Sequence, residues 1–440
     1  LYIAAPDGRL EKPAKVLSAF EKTCLLKPGE SEKLTLTAKA MDFASFDEDL
    51  SAYILEQGEY GVFCGNSLDT AVKVGSFRLD ADAVLRKTGS VNPPVEEFHK
   101  ITKRDPEIRG GSKMVPLEQR IQVSAKRIAY EPQPLPAYKG KRITFPELKA
   151  NHSLLEAFVA QMTDEELCRL NVCGGANWYM PWDDGSAGKS VALRKYKLPS
   201  IRVSDGNTGL NLNKPNIGLP SSTVMAATFN KALAFEVGKV IGEESGERGI
   251  AVNLGPGMNI HRNILNGRHP EYFSEDPYLA GAMAGHHGKG LVAAGTGCTY
   301  KHLFCNNSDT SRKGSHSIVS QRALREIYYK VFEVAIDVQM PTCVMTSYNA
   351  VNGLYPAESA EVLQRLVRGE WGFNGLIMTD WGTYDTVDPV EMVKAGNCWL
   401  TEGSPRYSKA LLKAVREGRL SRSILERNVL HLVELVLRKA

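Results

Sequence analysis

Asp380 and Trp381 directly follow the apolar run Leu376 to Thr379, which puts a carboxylate and an indole at the end of a segment built to be buried. Four other short apolar runs end in polar groups in the same way. Ile201 to Val203 leads to Ser204-Asp205-Gly206, and Cys298 to Tyr300 leads to Lys301-His302. Val344 to Thr346 leads to Ser347-Tyr348-Asn349, and Ala251 to Leu254 leads through Gly255-Pro256-Gly257 to Asn263, Asn266, Gly267 and Arg268. Two carboxylates, an arginine, a lysine-histidine pair, a tyrosine and a tryptophan around one cavity suit a polyhydroxylated ring. Carboxylates accept pairs of hydroxyl protons, cationic and imidazole donors hold other oxygens, and an indole face covers the C–H side. A carboxylate fixed at a strand end is also the nucleophile that glycoside cleavage requires, and Asp380 is the candidate. Each residue has a plainer reading beside this one: Asp380 as the N-cap of a following helix, Arg268 as an ion-pair partner of Glu271, Glu275 or Asp276, and Trp381 as packing. His286-His287 lacks a third ligand at usable spacing, and Gly295-Thr296-Gly297 lacks the rest of a dinucleotide signature, so neither a metal nor an organic cofactor is expected.

Residues placed in this way need strands to carry them. None of the five runs is long enough for a helix, and helical patterns recur around them. Thr163-Asp164-Glu165-Glu166 has capping-box spacing before Leu167 and Leu170, and Asn230 precedes Leu233, Val237, Val240 and Ile241 on one face. Ser320 opens a stripe of Leu324, Ile327, Tyr328, Val331 and Phe332, and Ser421 opens another through Leu425, Val429, Leu432 and Val436. Strand and helix in alternation predict an α/β fold, with residues 151–440 as a (β/α)8 TIM-like barrel whose site lies at the C-terminal strand ends.

Residues 1–85 carry a different period. Leu34 and Leu36 alternate with Lys33, Thr35 and Thr37, and Tyr60, Val62 and Cys64 alternate after Gly58, which predicts a β-sandwich. Only four or five strand-like runs are legible where an immunoglobulin-type sandwich has about seven, and the chain opens directly on Leu1-Tyr2-Ile3-Ala4. The expectation is a partial sandwich, its start missing. Residues 86–150, with Pro93-Pro94, Gly110-Gly111, Pro132, Pro134, Pro136 and charges of both signs, read as a surface-wrapping linker rather than a nucleic-acid patch.

Composition narrows the partners. A chain of 440 residues that is 43% hydrophobic and 24% charged is globular and larger than one compact domain usually is. A net charge of +4 is too small for a phosphate-tracking surface. No apolar run reaches the roughly 18 to 20 residues of a membrane helix, so neither nucleic acid nor membrane is an expected partner. The eight scattered cysteines form no C-x-x-C pair, which predicts free thiols and favours a cytoplasmic location, although Leu1 offers no start from which a signal peptide can be read. A homo-oligomer stays open.

The site residues also carry a resemblance to a known family. Asn259-Ile260-His261-Arg262-Asn263-Ile264-Leu265-Asn266-Gly267-Arg268, running through Glu271-Tyr272-Phe273-Ser274-Glu275-Asp276-Pro277, resembles the signature of family 3 glycoside hydrolases. So do Lys301-His302 with Asn306-Asn307, Met345 to Gly353, and Trp371-Gly372-Phe373-Asn374-Gly375 leading to Thr379-Asp380-Trp381. Residues 1 to 80, with Glu11-Lys12-Pro13 and Leu26-Lys27-Pro28-Gly29-Glu30, resemble the later part of that family's fibronectin type III-like domain. The resemblance implies a retaining, exo-acting β-glucosidase that acts on small β-glucosides or cello-oligosaccharides, with Asp380 attacking C1 to form a glycosyl-aspartate. Asp205, Arg268, Lys301, His302 and Tyr348 would bind the nonreducing sugar, Met345 would line the same pocket, and Trp381 would form the wall where glycone meets aglycone. Related activities left open are those of a β-xylosidase, a β-N-acetylhexosaminidase or a non-catalytic sugar-binding barrel.

The order of parts, sandwich before barrel, matches the family's permuted members. Multidomain relatives hold the acid/base carboxylate on an α/β sandwich domain, and this chain has no second α/β unit. The acid is therefore expected from an earlier part of a longer protein, or from a second chain. The two-domain hexosaminidases use an Asp-His pair on the loop after the Lys-His motif, whereas this chain has Leu303 to Asp309 and then Ser315-His316-Ser317, without that pattern. Asp205-Gly206-Asn207-Thr208 departs from the family's usual Asp-Gly-Pro, and Cys398-Trp399-Leu400-Thr401-Glu402 departs from its late acidic-aliphatic strand.

Overall fold

A computed structural model describes residues 1–95, 128–175 and 184–440. The Gly110-Gly111 part of the expected linker lies outside the described residues. The first strands are β1 (Tyr2–Ala4), β2 (Val16–Leu17), β3 (Ser45–Asp47), β4 (Ala52–Leu55), β5 (Gly58–Cys64), β6 (Val72–Leu79) and β7 (Ala83–Lys87). They make two antiparallel sheets, ordered β2-β1-β5-β6 and β3-β4-β7. Seven strands exceed the four or five legible in the sequence; β1 answers the opening Leu1-Tyr2-Ile3-Ala4, whereas β2 and β3 are only two and three residues long, too short for alternation to register. The strand expected at Leu34 and Leu36 is not formed. Both residues are half-buried while Lys33, Thr35 and Thr37 are exposed, but no ladder among the described residues includes them. Alternation sets which side faces inward, and a strand also needs a neighbour to bond.

The remaining strands are β8 (Gly188–Lys189), β9 (Arg202–Asp205), β10 (Val252–Leu254), β11 (Gly297–Leu303), β12 (His316–Ser317), β13 (Cys343–Thr346), β14 (Ala350–Val351) and β15 (Leu376–Met378). All five apolar runs are strands. Six of these strands form one sheet in the order β15-β13-β11-β10-β9-β8, parallel except for β8. The antiparallel pairing of β8 with β9 departs from an all-parallel expectation. The chain returns from β8 through the short turn Arg194–Tyr196 rather than through a crossover helix. Beyond the sheet's edges, parallel bridges join Met378 to Trp399 and Leu400 to Val172, and Gly174 N donates to Lys189 O at 2.7 Å.

Helices connect the parallel strands and start where the capping residues predict. Asn230 Oδ1 accepts from Leu233 N at 3.0 Å at the head of Lys231–Glu247, and the Thr163 capping box with Glu166 is formed. The helix that follows Ser320 departs from the ideal period. A π turn over Leu324–Tyr328 shifts its register and leaves Ile327 36% exposed, outside the buried stripe. No helix among the described residues is long and apolar enough to cross a membrane, and the eight cysteines are free thiols.

The N-terminal sheets have a small core of their own, Ile3, Leu55 and Tyr60, and the segment around them lends Leu17 and Phe20 to the large core around the six-stranded sheet. Val91, in the linker, is fully buried there, and its backbone exchanges bonds with the Gln321 carboxamide at 3.0 and 2.6 Å. The strongest tie is Arg325, which has no exposed surface. Its guanidinium forms a two-pronged pair with Glu370 and donates to Gly89 O at 2.8 Å, while Tyr53 OH donates to Arg325 O at 3.3 Å. Alongside it, Arg86 pairs with Glu333 at 3.1 Å. The carboxylate left behind, Glu370, is partly exposed, so losing the pair and the bond to Gly89 O costs about 1 to 3 kcal/mol. Arg325→Met is therefore expected to lower the unfolding free energy by about that amount, read as a lower urea midpoint.

Candidate active site

Asp205 is the last residue of β9, Lys301 and His302 lie near the end of β11, and Tyr348 and Asp380 each stand two residues past β13 and β15. A regular strand would send Lys301 and His302 to opposite faces. The register against β13 shifts between Lys301 and Leu303, and both side chains reach groups of one site. Lys301 Nζ donates to Asp205 Oδ1 at 3.1 Å, and His302 Nε2 lies 3.0 Å from Arg268 Nη2 and 3.4 Å from Asp380 Oδ2. A cavity of about 350 Å³ opens here, bounded by Asp205, Asn207, Asn211, Arg268, Glu271, Lys301, Arg312, Tyr348, Asp380 and Trp381.

Asp380 does not cap a helix. The turn after it, Thr383–Asp385, has Gly382 at its N-cap, and Asp380 Oδ1 instead accepts from Trp381 N at 2.7 Å. The other oxygen, Oδ2, is buried without a hydrogen-bond donor. The state of His302 explains why. Burial, together with Arg268, Lys301 and Arg312, drives its pKa well below the usual imidazole range, so the ring is neutral. Arg268 can only donate, so Nε2 must accept, and the ring proton sits on Nδ1, 3.3 Å from Asn259 Oδ1. Nε2 then has no proton to offer Asp380. Arg268 Nη1 is likewise buried without a partner. An unfilled donor and an unfilled acceptor thus belong to the same site.

Burial pushes the Asp380 carboxyl up to about 6, against the pull of Arg268, Lys301 and the Trp381 amide. Burial also pulls Lys301 down, but Asp205 and Glu271 outweigh it and hold the ammonium charged above its usual range. Burial and the Asp380 charge push the Tyr348 phenol up, so it remains a donor, and its hydroxyl donates to Trp381 O. The Trp381 indole is fixed by Nε1 donating to Ala187 O at 3.1 Å, and it both packs and borders the cavity. Arg268 likewise fills both of its readings, since Nε donates to Glu271 while the guanidinium borders the cavity.

Two expected residues stand elsewhere. Met345 does not border the cavity. It is 1% exposed inside β13, paired with Lys301 and Met378 on the neighbouring strands. His302 is fully buried behind Arg268 and Asp380 and reaches the cavity only through them. His316 is tied to the next loop, its Nε2 accepting from Gly353 N at 2.7 Å. The sequence pattern does not single out Asn211 or Arg312. Asn211 follows Asp205 by six residues, and Arg312 lies in the loop after β11 with its guanidinium 4.8 Å from the Tyr348 ring centre. Their one available signal is a position on loops that leave C-terminal strand ends.

The chain is similar to known proteins over most of its length. Residues 185–435 match the model described as glycosyl hydrolase family 3 N terminal domain, and residues 1–68 match the fibronectin type III-like domain. A beta-glucosidase from Ruminococcus albus is 34% identical over 99% of this chain and 48% of its own length. The crystal structure of a beta-glucosidase from Paenibacillus barengoltzii superposes with a TM-score of 0.87 at 31% identity, over 100% of this chain and 51% of that one. Beta-glucosidase 3B from Thermotoga neapolitana, in complex with glucose, gives 0.62 at 36% identity over 64% of this chain and 42% of that one. The chain thus spans about half the length of the relatives it matches.

The Asp380 carboxyl sets a stability test. Its folded pKa, about 6, lies above its ordinary value of 3.8. The folded state therefore holds the proton more tightly, and the penalty is absent below the ordinary value, grows between the two, and is complete above the folded one. Asp380→Asn carries no such penalty. It is expected to raise the unfolding free energy at pH 7 by on the order of 2 to 3 kcal/mol, an advantage that vanishes near pH 4 in thermal melts across pH.

Proposed function

Because the chain belongs to glycoside hydrolase family 3, we propose that it carries the sugar site and nucleophile of a retaining, exo-acting β-glucosidase for small β-glucosides or cello-oligosaccharides. The observation that carries this is Asp380: one oxygen anchored to a backbone N–H, the other buried and without a donor at the edge of the cavity. In this reading residues 1–85 are the fibronectin type III-like sandwich, 86–150 the connector and 151–440 the catalytic domain. The ring of bonds from Val172 round to Trp399 is then a (β/α)8-type barrel with one reversed strand.

Asp380 Oδ2 attacks C1 while the bond to the leaving oxygen breaks, giving a glycosyl ester that water then hydrolyses with retention. Asp205, Lys301, Arg268 and Tyr348 hold the ring hydroxyls, and Trp381 forms the wall toward the aglycone. The leaving oxygen needs a proton from a carboxyl about 5 to 5.5 Å from Asp380. Of the other two carboxylates that border the cavity among the described residues, Asp205 is paired with Lys301 and Glu271 with Arg268. The acid is therefore proposed to come from outside this chain, on an α/β sandwich domain of the longer protein or on a second chain.

A 2-deoxy-2-fluoroglucoside with a good leaving group tests the reading. The expected result is one added fluoroglucosyl mass on the peptide that contains Asp380, lost in Asp380→Asn. Sugar binding with no label on any residue would instead support a non-catalytic binding barrel.

A further inference from the structure

Asn207 stands two residues past the end of β9, and its carboxamide spans two loops. Its Oδ1 accepts from Gly257 N at 3.2 Å, just after β10, and its Nδ2 donates to the Glu271 carbonyl at 3.0 Å, further along the same loop. Glycines make room for it. A methyl group on Gly255 would stand 2.3 Å from Asn207 Oδ1, and one on Gly257 would stand 3.1 Å from Nδ2. Both bonds go to backbone, so they fix the path of the chain itself.

The second bond holds the residue whose carboxylate grips Arg268 Nε, and Arg268 is the cation that meets His302 and offsets the burial of Asp380. A proline at this position, as in the family's usual run, has neither the side-chain donor nor the acceptor.

We propose that Asn207 is a positioning residue of the sugar site: it locks the loop bearing Asp205 to the loop bearing Arg268 and Glu271, so that the hydroxyl-binding end and the cation beside the nucleophile keep a fixed spacing. The role in sugar binding rests on the function proposed above. The locking of the loops does not.

Two readouts on the 440-residue chain separate these. Hydrogen exchange followed by mass spectrometry needs no ligand. In Asn207→Ala, peptides spanning residues 255–275 exchange faster while those of β11 keep their rate. Glucose titration followed by tryptophan fluorescence reads the site. Asn207→Ala binds about tenfold more weakly, and the acid limb of binding moves up by about half a pH unit as Arg268 loosens from Asp380. Lys301, His302, Tyr272 and Tyr348, the other groups facing that carboxylate, are unaltered in sequence. Asn207→Asp keeps an acceptor for Gly257 N but sets a carboxylate against the Glu271 carbonyl, and it behaves as the alanine variant does. Asn216→Ala, whose carboxamide bonds within its own loop, changes nothing. Unchanged exchange in both Asn207 variants overturns the proposal. Faster exchange with weaker binding but an unmoved acid limb reduces Asn207 to a structural role and also overturns it. Absence of glucose binding by the unsubstituted chain counts against the proposed function, and exchange alone then decides the lock.

Discussion

A carboxylate kept out of water and yet ionised is the constraint around which this molecule is arranged. Burial alone drives a carboxyl toward its neutral form, so Asp380 needs cations close by, and it has Arg268 and Lys301. Two unpaired cations would in turn be costly to bury, and each is matched by its own carboxylate, Glu271 for Arg268 and Asp205 for Lys301. The pairing leaves Asp380 stabilised by the field of these cations without being tied to either. A direct ion pair would have consumed the oxygen that the site leaves free.

Such a balance tolerates little movement, and the fold supplies the rigidity. Every charged member sits at or shortly after a buried parallel strand, or on a loop stitched to its neighbours by side-chain-to-backbone bonds. The neutral His302 adds a second fixing point, since Asn259 bonds both its backbone N–H and its carbonyl, at 2.9 and 2.8 Å. The sandwich contributes at a distance. Through the Tyr53 hydroxyl bonded to Arg325 O and through Arg86 paired with Glu333 it is fastened to the helical segment that follows the loop bearing Arg312 and leads into β13, at whose far end Tyr348 stands.

How much of this the sequence reveals follows from physical range. The five apolar runs and the capping residues Thr163, Asn230, Ser320 and Ser421 are local signals, and the elements they announce are formed. Strands such as Val16–Leu17 and Gly188–Lys189 have no period to read, and the direction of β8 depends on which neighbour it meets. Leu34 and Leu36 show the converse case, a strand pattern without a partner strand among the described residues. At the site, Asp205, Lys301, Tyr348, Asp380 and Trp381 could be picked out because they stand at or just past the ends of apolar runs, and Arg268, further along its loop, because of the motif that holds it. Met345 shows the limit of a motif: membership in a string says nothing about which side of a strand a residue faces. Asn211 and Arg312 lie several residues into their loops, where only the folded path returns them to the cavity.

The charge pattern also bears on the kind of molecule the cavity accepts. Among the described residues three cations, Arg268, Lys301 and Arg312, face three carboxylates, Asp205, Glu271 and Asp380, so the formal charge of that lining is balanced. An anionic ligand would have to displace a carboxylate already held by a cation, and a cationic ligand would meet Lys301 or Arg268 at close range. A neutral ring that carries hydroxyls on its rim meets neither penalty. Each hydroxyl can donate to a carboxylate and accept from a cation in the same plane, and it answers the two unfilled atoms, Arg268 Nη1 and Asp380 Oδ2, without adding charge. The electrostatics that keep Asp380 ionised therefore also favour a neutral, hydroxyl-bearing ligand over charged alternatives.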